Sequence, residues 1–153
     1  MKQIPAGGEG KITVKVSTQG YGGEVIRETV RIITNDQARP GLSVTVTGPV
    51  EKFAVIEPER VRLIGRVGET TEAAVNILPR ERYPFRIESV RAMIGKHIEL
   101  HLEEKKTGGR RTYLLTVRNT KKNAGQYSDR IVLETDSPIR SKLQISVFAR
   151  IEN

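Results

Sequence analysis

The chain has no cysteine and no tryptophan, and only three Phe and four Tyr among its 153 residues. Without thiols there are no disulfide staples and no thiolate metal sites. Scarce aromatics leave the core to Val, Ile and Leu, a usage that favours strands over helices. No apolar run approaches the ~20 residues of a membrane-spanning helix. No signal peptide is legible at the start. The sequence contains no G-x-S-x-G elbow, Walker loop or dinucleotide fingerprint. Gly20, Gly22 and Gly23 form a loop with no helical period behind it to hold a phosphate. Neither catalysis nor a bound cofactor is expected.

What is present is alternation. Nearly every segment places apolar and polar residues with period two, as half-buried strands require. Gly and Pro punctuate the segments as turns. Basic residues outnumber acidic ones 26 to 18, for a net charge of +8. An excess of this sign attracts polyanions such as nucleic acid or acidic polysaccharide. Acidic residues are interspersed with the basic ones, however, so the plainer reading is a solvated surface.

The C-terminal stretch repeats the N-terminal one at a fixed shift of 101 residues, without a gap. Ile12, Val14 and Val16 fall on Tyr113, Leu115 and Val117. Val30 and Ile32 fall on Ile131 and Leu133, and Leu42, Val44 and Val46 on Leu143, Ile145 and Val147. A repeat of this length implies a duplicated domain. The second copy has a front half, Phe53 to Gly108, for which the first has no counterpart. The expected organisation is a partial module over 1–51, holding the C-terminal half only, and a complete one over 52–153.

Lys11 to Ser17, Val25 to Thr34 and Leu42 to Thr47 read as strands of the first module. The second yields about seven strands in about 100 residues, the size of an immunoglobulin-like sandwich. Thr107-Gly108-Gly109 is a hairpin turn, since paired glycines supply positive φ. Phe85 and Ile87 begin a strand after Pro84; no segment holds a convincing helical period, and Arg86 to Ile94 allows one or two turns at most.

A short pattern occurs in both copies. It runs Ile26, Glu28, Val30, Ile32, Thr34, Asn35 in the first and Tyr127, Asp129, Ile131, Leu133, Thr135, Asp136 in the second. Alternation turns the apolar members inward. Thr and Asx bond to local backbone and end strands, so a strand-end device is the expected role. With the opening Pro5-Ala6-Gly7-Gly8 and the following Ile12, Val14 and Val16, this pattern resembles the Hydin-type and major-sperm-protein-like domains. These are PapD-like immunoglobulin sandwiches, and the likeness is strongest to their bacterial tandem relatives. The resemblance implies an all-β PapD-like sandwich with a binding or scaffolding role, and brings no catalytic residues. It favours a periplasmic or extracellular setting in a larger, envelope-associated bacterial protein.

Two candidate surfaces follow. The first is the inward face of the partial module: Ile12, Val14, Val16, Val30, Ile32, Val44 and Val46. A lone sheet leaves such a face wet, and each side chain is worth ~1.5–3 kcal/mol when fully buried. Upstream strands, a second copy in a homodimer, or a partner that donates strands would each cover it. The second is an anion-contact set: Lys105, Lys106, Arg110, Arg111, Lys121 and Lys122. Clustered charge without interleaved aromatics suits phosphate or sulfate better than base stacking. His97 and His101 are the only histidines. They stand ~13 Å apart along one strand, too far to share a metal ion, so no metal site is expected.

Overall fold

The computed structural model describes residues 4–5 and 7–153, so Ala6 of the opening motif lies outside the described residues. The chain divides into two units, one ending at Lys52 and one spanning Phe53–Asn153.

The first unit is built on one antiparallel hairpin, β1 (Val25–Ile33) with β2 (Gly41–Pro49). Its base is closed by the Val50 N–H donating to Glu24 O at 2.8 Å and the Gly23 N–H donating to Val50 O at 2.7 Å. Pleating sorts the residues onto two faces. Ile26, Glu28, Val30 and Ile32 share one face with Gly48, Val46, Val44 and Leu42. Thr29, Thr45 and Thr47 lie on the other, where the Thr29 and Thr45 hydroxyls are 3.2 Å apart.

The expected strand over Lys11 to Ser17 does not form. Its counterpart in the second unit explains why. That segment, within β8 (Arg110–Asn119), is hydrogen-bonded on both sides, by β5 (Glu72–Pro79) and by β7 (Ile98–Thr107). Both neighbours come from the front half, which has no counterpart among the residues before Lys11. An apolar alternation becomes a strand only where another strand takes its N–H and C=O groups.

The second unit is an immunoglobulin-like sandwich of two four-stranded sheets. One has the order β4 (Arg60–Arg66), β10 (Lys142–Glu152), β9 (Gly125–Thr135), β6 (Ile87–Ala92). The other has the order β3 (Ala54–Glu57), β5, β8, β7. Only the β4–β10 pair is parallel. The strands number eight because Ala54–Glu57 forms a short edge strand. The strand read from Ile87 is β6, and it leaves Arg86 to Ile94 without the helical turns that the segment also allowed. Its place beside β9 supplies the backbone partners that decide the matter.

Val61, Leu63, Ile131, Leu133, Ile145 and Val147 from one sheet meet Val75, Ile77, Tyr113, Leu115 and Val117 from the other, all buried. Three of the seven aromatics gather at one place: Phe53 stacks on Phe85 at 4.8 Å and on Tyr83 at 6.1 Å. The β7–β8 turn uses Gly108 and Gly109 at φ 58° and 78°, values that favour glycine over any residue with a Cβ.

Candidate functional site

The β1–β2 hairpin is the second unit's β9–β10 hairpin, pair for pair. Adding 101 to its register turns Val25↔Pro49 into Gln126↔Arg150, Val30↔Val44 into Ile131↔Ile145, and Ile33↔Gly41 into Glu134↔Lys142. All nine β1–β2 pairs recur in this way.

The turns match as well. The Thr34 hydroxyl donates to Arg39 O at 2.6 Å, and the Thr135 hydroxyl donates to Arg140 O at 2.6 Å. Thr34 Oγ1 accepts from the Asp36 N–H, and Thr135 Oγ1 from the Ser137 N–H. Asp36 Oδ1 accepts from the Ala38 N–H, as Ser137 Oγ does from the Ile139 N–H. The Thr34 N–H donates to Pro40 O, and that of Thr135 to Ser141 O. The Thr of the recurring pattern thus ties the hairpin turn in both copies.

The two hairpins differ in what lies over them. Leu143, Ile145 and Val147 are 3, 0 and 2 % exposed, whereas Leu42, Val44 and Val46 are 46, 47 and 38 % exposed. Val30 and Ile32 are half-buried, and only Ile26 on that face is buried. Of the predicted face, the structure therefore brings Val30, Ile32, Val44 and Val46 together and adds Leu42. It does not place Ile12, Val14 and Val16 on the same sheet. Ile12 and Val14 are exposed, but from a segment that forms no strand.

The acids of the recurring pattern have a role that spacing alone did not reveal. In the second unit they grip the two ends of β6. Asp136 Oδ1 accepts the Arg86 N–H at 2.6 Å, and the Asp136 N–H donates to Arg86 O at 3.1 Å. At the other end Asp129 accepts the Ile94 N–H at 3.0 Å and the Gly95 N–H at 2.9 Å. Gly95, at φ 67°, lets both N–H groups converge on one carboxylate. Partial burial acts to raise the Asp129 pKa. The N–H donors of Ile94, Gly95 and Arg130 outweigh it and hold the carboxyl below the ordinary value. Their counterparts in the first unit are Glu28 and Asn35. Both side chains are exposed, and among the described residues neither grips a strand.

Tyr127, on the same inward face, sets its hydroxyl 2.9 Å from His97 O and 2.9 Å from Asn119 Oδ1. Burial, helped by the nearby Asp129 carboxylate, pushes its pKa up to about 12. The His97 ring packs against the Tyr127 ring at 5.3 Å. His101 Nε2 lies 3.4 Å from Glu103 Oε1 on the solvated side of β7. Among the described residues no three His, Cys, Asp or Glu stand together as metal ligands.

The basic set does not form one patch. Lys105 and Lys106 lie across from Thr112 and Arg111 beside the β7–β8 turn. Lys121 and Lys122 follow Asn119, which pairs with Ile98 at the far end of the same two strands. A strand of that length separates the groups by ~30 Å. Arg110 is ion-paired with Glu81. Arg111 Nε lies 2.7 Å from Glu104 Oε1, a close ion pair without hydrogen-bond geometry. Arg80, Arg86, Arg110 and Arg111 line a groove of about 470 Å³ that also holds Glu81 and Asp136. A groove of about 700 Å³ on the outer side of the β4–β10–β9–β6 sheet sets Arg60, Arg62 and Arg130 around Phe148. The sequence offered no signal for it, since its residues come from three separate strands.

No protein-family model and no curated protein matches the chain. Among solved structures, a Porphyromonas gingivalis protein of unknown function is similar at a TM-score of 0.51 and 17 % identity. The match covers 86 % of this chain and 68 % of that one. What the two share is a fold. The seventh PapD-like domain of human CEP192 is similar at a TM-score of 0.42 and 12 % identity, over 71 % of this chain and 94 % of that domain.

Proposed function

We propose that this chain is a non-catalytic structural or protein-interaction module of a larger, envelope-associated bacterial protein, and that β1–β2 is its docking half. One observation carries the reading. The apolar face of β1–β2 is wet, while the same face of the same hairpin is dry in β9–β10. A contiguous wet apolar face marks an interaction surface. Five side chains of this size gain several kcal/mol if a partner covers them. The occupant is a polypeptide that supplies a β layer, as β3, β5, β8 and β7 do for β9–β10. The envelope setting rests on the sequence resemblance and is checked by cell fractionation.

The test combines light scattering with binding of an apolar fluorescent dye, on the parent chain and on Val44→Asp. The reading expects dye binding by the parent and its loss in Val44→Asp, with the melting of the second unit unchanged. A dye-binding monomer points to a different protein as partner. Concentration-dependent mass lost in Val44→Asp points to a second copy. A parent chain silent to the dye at every concentration overturns the reading.

A second reading, contact with a polyanion, is favoured by Lys105 and Lys106 at the exposed end of β7. The pairing of Arg110 and Arg111 with carboxylates weakens it. Retention on heparin that survives physiological salt, and falls in a Lys105→Glu, Lys106→Glu variant, would support it. Retention that vanishes well below that salt is nonspecific.

A further inference from the structure

We infer that the outer edge of β1 receives one strand of a partner polypeptide, antiparallel to β1, with its ends held by Asn35 and Glu28. The inference rests on the reading of β1–β2 as a docking half and specifies which edge is used, in which register, and by what kind of segment.

Strand β9 shows how such an edge is filled. Its outer edge carries β6, with Val90 opposite Leu133 and Ala92 opposite Ile131. Beyond each end of β6 the chain is fastened to an acid of the recurring pattern, Arg86 to Asp136 and the Ile94–Gly95 amides to Asp129. Subtracting 101 carries this arrangement onto β1. The edge strand then sets its inward residues opposite Ile32 and Val30, begins beside Asn35, and turns at Glu28.

Three features of the first unit fit an edge kept for such a strand. Among the described residues β1 pairs only with β2, so its second edge has no strand on it. Glu28 sits on the inward face, where a carboxylate serves no apolar packing. It is a hydrogen-bond acceptor placed where Asp129 accepts two amides. Asn35 offers a side-chain carbonyl where Asp136 accepts the Arg86 N–H.

The segment that fits is legible in β6 itself: apolar, any, small apolar, any, any, glycine, as in Val90, Arg91, Ala92, Met93, Ile94, Gly95. The small residue lies over the valine of the edge. The glycine supplies the positive φ that aims two consecutive N–H groups at one carboxylate. Main-chain bonds along the edge give affinity, and the alternate side chains and the two end grips give register.

The probe is a capped synthetic peptide with the sequence of residues 86–95, added to the 15N-labelled full chain and followed by NMR. The expected result is shifts centred on residues 30–35. Asn35→Ala should weaken binding by about fivefold to tenfold, the effect of one lost hydrogen bond to a well-placed acceptor, and Glu28→Ala, which removes the acceptor of two amides, by at least as much. A peptide with Val90→Asp should bind at least about tenfold more weakly. Both chain variants should keep the dye binding of the parent, which separates failure of this inference from failure of the docking-half reading. Peptide binding indifferent to Glu28→Ala and Asn35→Ala would overturn it. So would shifts confined to β9, pairing of β1 with β1 of a second copy, or no binding at millimolar peptide in a chain that binds the dye.

Discussion

Val44 and Ile145 hold corresponding places in matching hairpins, opposite Val30 and Ile131, with the same threonine-tied turn, yet one is wet and the other dry. The two hairpins show that local sequence sets strand direction, register and turn, while burial is set by whatever arrives on top. Register follows from pleat parity and from the hydrogen bonds of the turn, all of which lie within the repeated stretch. Cover comes from β3, β5, β8 and β7, and of these only β8 has a matching stretch in the first unit.

The sharpest contrast is Ile145→Ala against Val44→Ala. The first leaves a hole in a closed core and should cost about 2–5 kcal/mol in urea unfolding of the second unit. The second should change that unfolding by less than about 0.5 kcal/mol. Equal effects would mean that the hairpins share one environment.

The turn offers a smaller contrast. Thr135→Val removes one donated and one accepted hydrogen bond at a buried position and should cost the second unit about 1–2 kcal/mol. Thr34→Val removes the same bonds at the same place. It should leave that unfolding unchanged and speed amide exchange in β1 and β2 alone.

Tyr127 has Ile26 as its counterpart, so the alkaline response belongs to one copy. Its folded pKa is raised from 10.0 to about 12. The stability it contributes is therefore complete below about pH 10 and lost as pH rises toward about 12. Tyr127→Phe should cost about 1 kcal/mol at neutral pH and remove that alkaline slope in denaturant titrations.

Asp129 gives the smallest effect and the opposite sign. Its pKa is lowered on folding. The stability it adds is present above the unfolded value of about 3.9 and lost as pH falls through the folded value. Asp129→Asn should flatten that acid limb.

Much of this was legible in the sequence. Period-two alternation located β1, β2, β4, β5 and β7 to β10, and the constant shift of 101 fits their common register because no insertion interrupts it. Thr34 and Thr135 read as strand-end devices, and their hydrogen bonds bear that out. The segment from Lys11 to Ser17 misled because its pattern matches β8, while the strands that would hold it lie elsewhere in the chain. Strand β6 was legible only at its start, Ile87, because its apolar residues are few and its hold on β9 depends on Asp129 and Asp136, distant in sequence. The split of the basic residues between two ends of the sandwich followed from the length of β7 and β8, which composition does not carry.

Backbone amide hydrogen exchange tests the central claim most directly. It would compare the parent chain with one in which a second copy of residues 53–108 is joined ahead of Gly8. The prediction is that β1 and β2 exchange orders of magnitude faster than β9 and β10 in the parent, and slow toward them once the layer is supplied. Amides of β1 and β2 already as slow as those of β9 and β10 in the parent, or still fast in the extended chain, would contradict it.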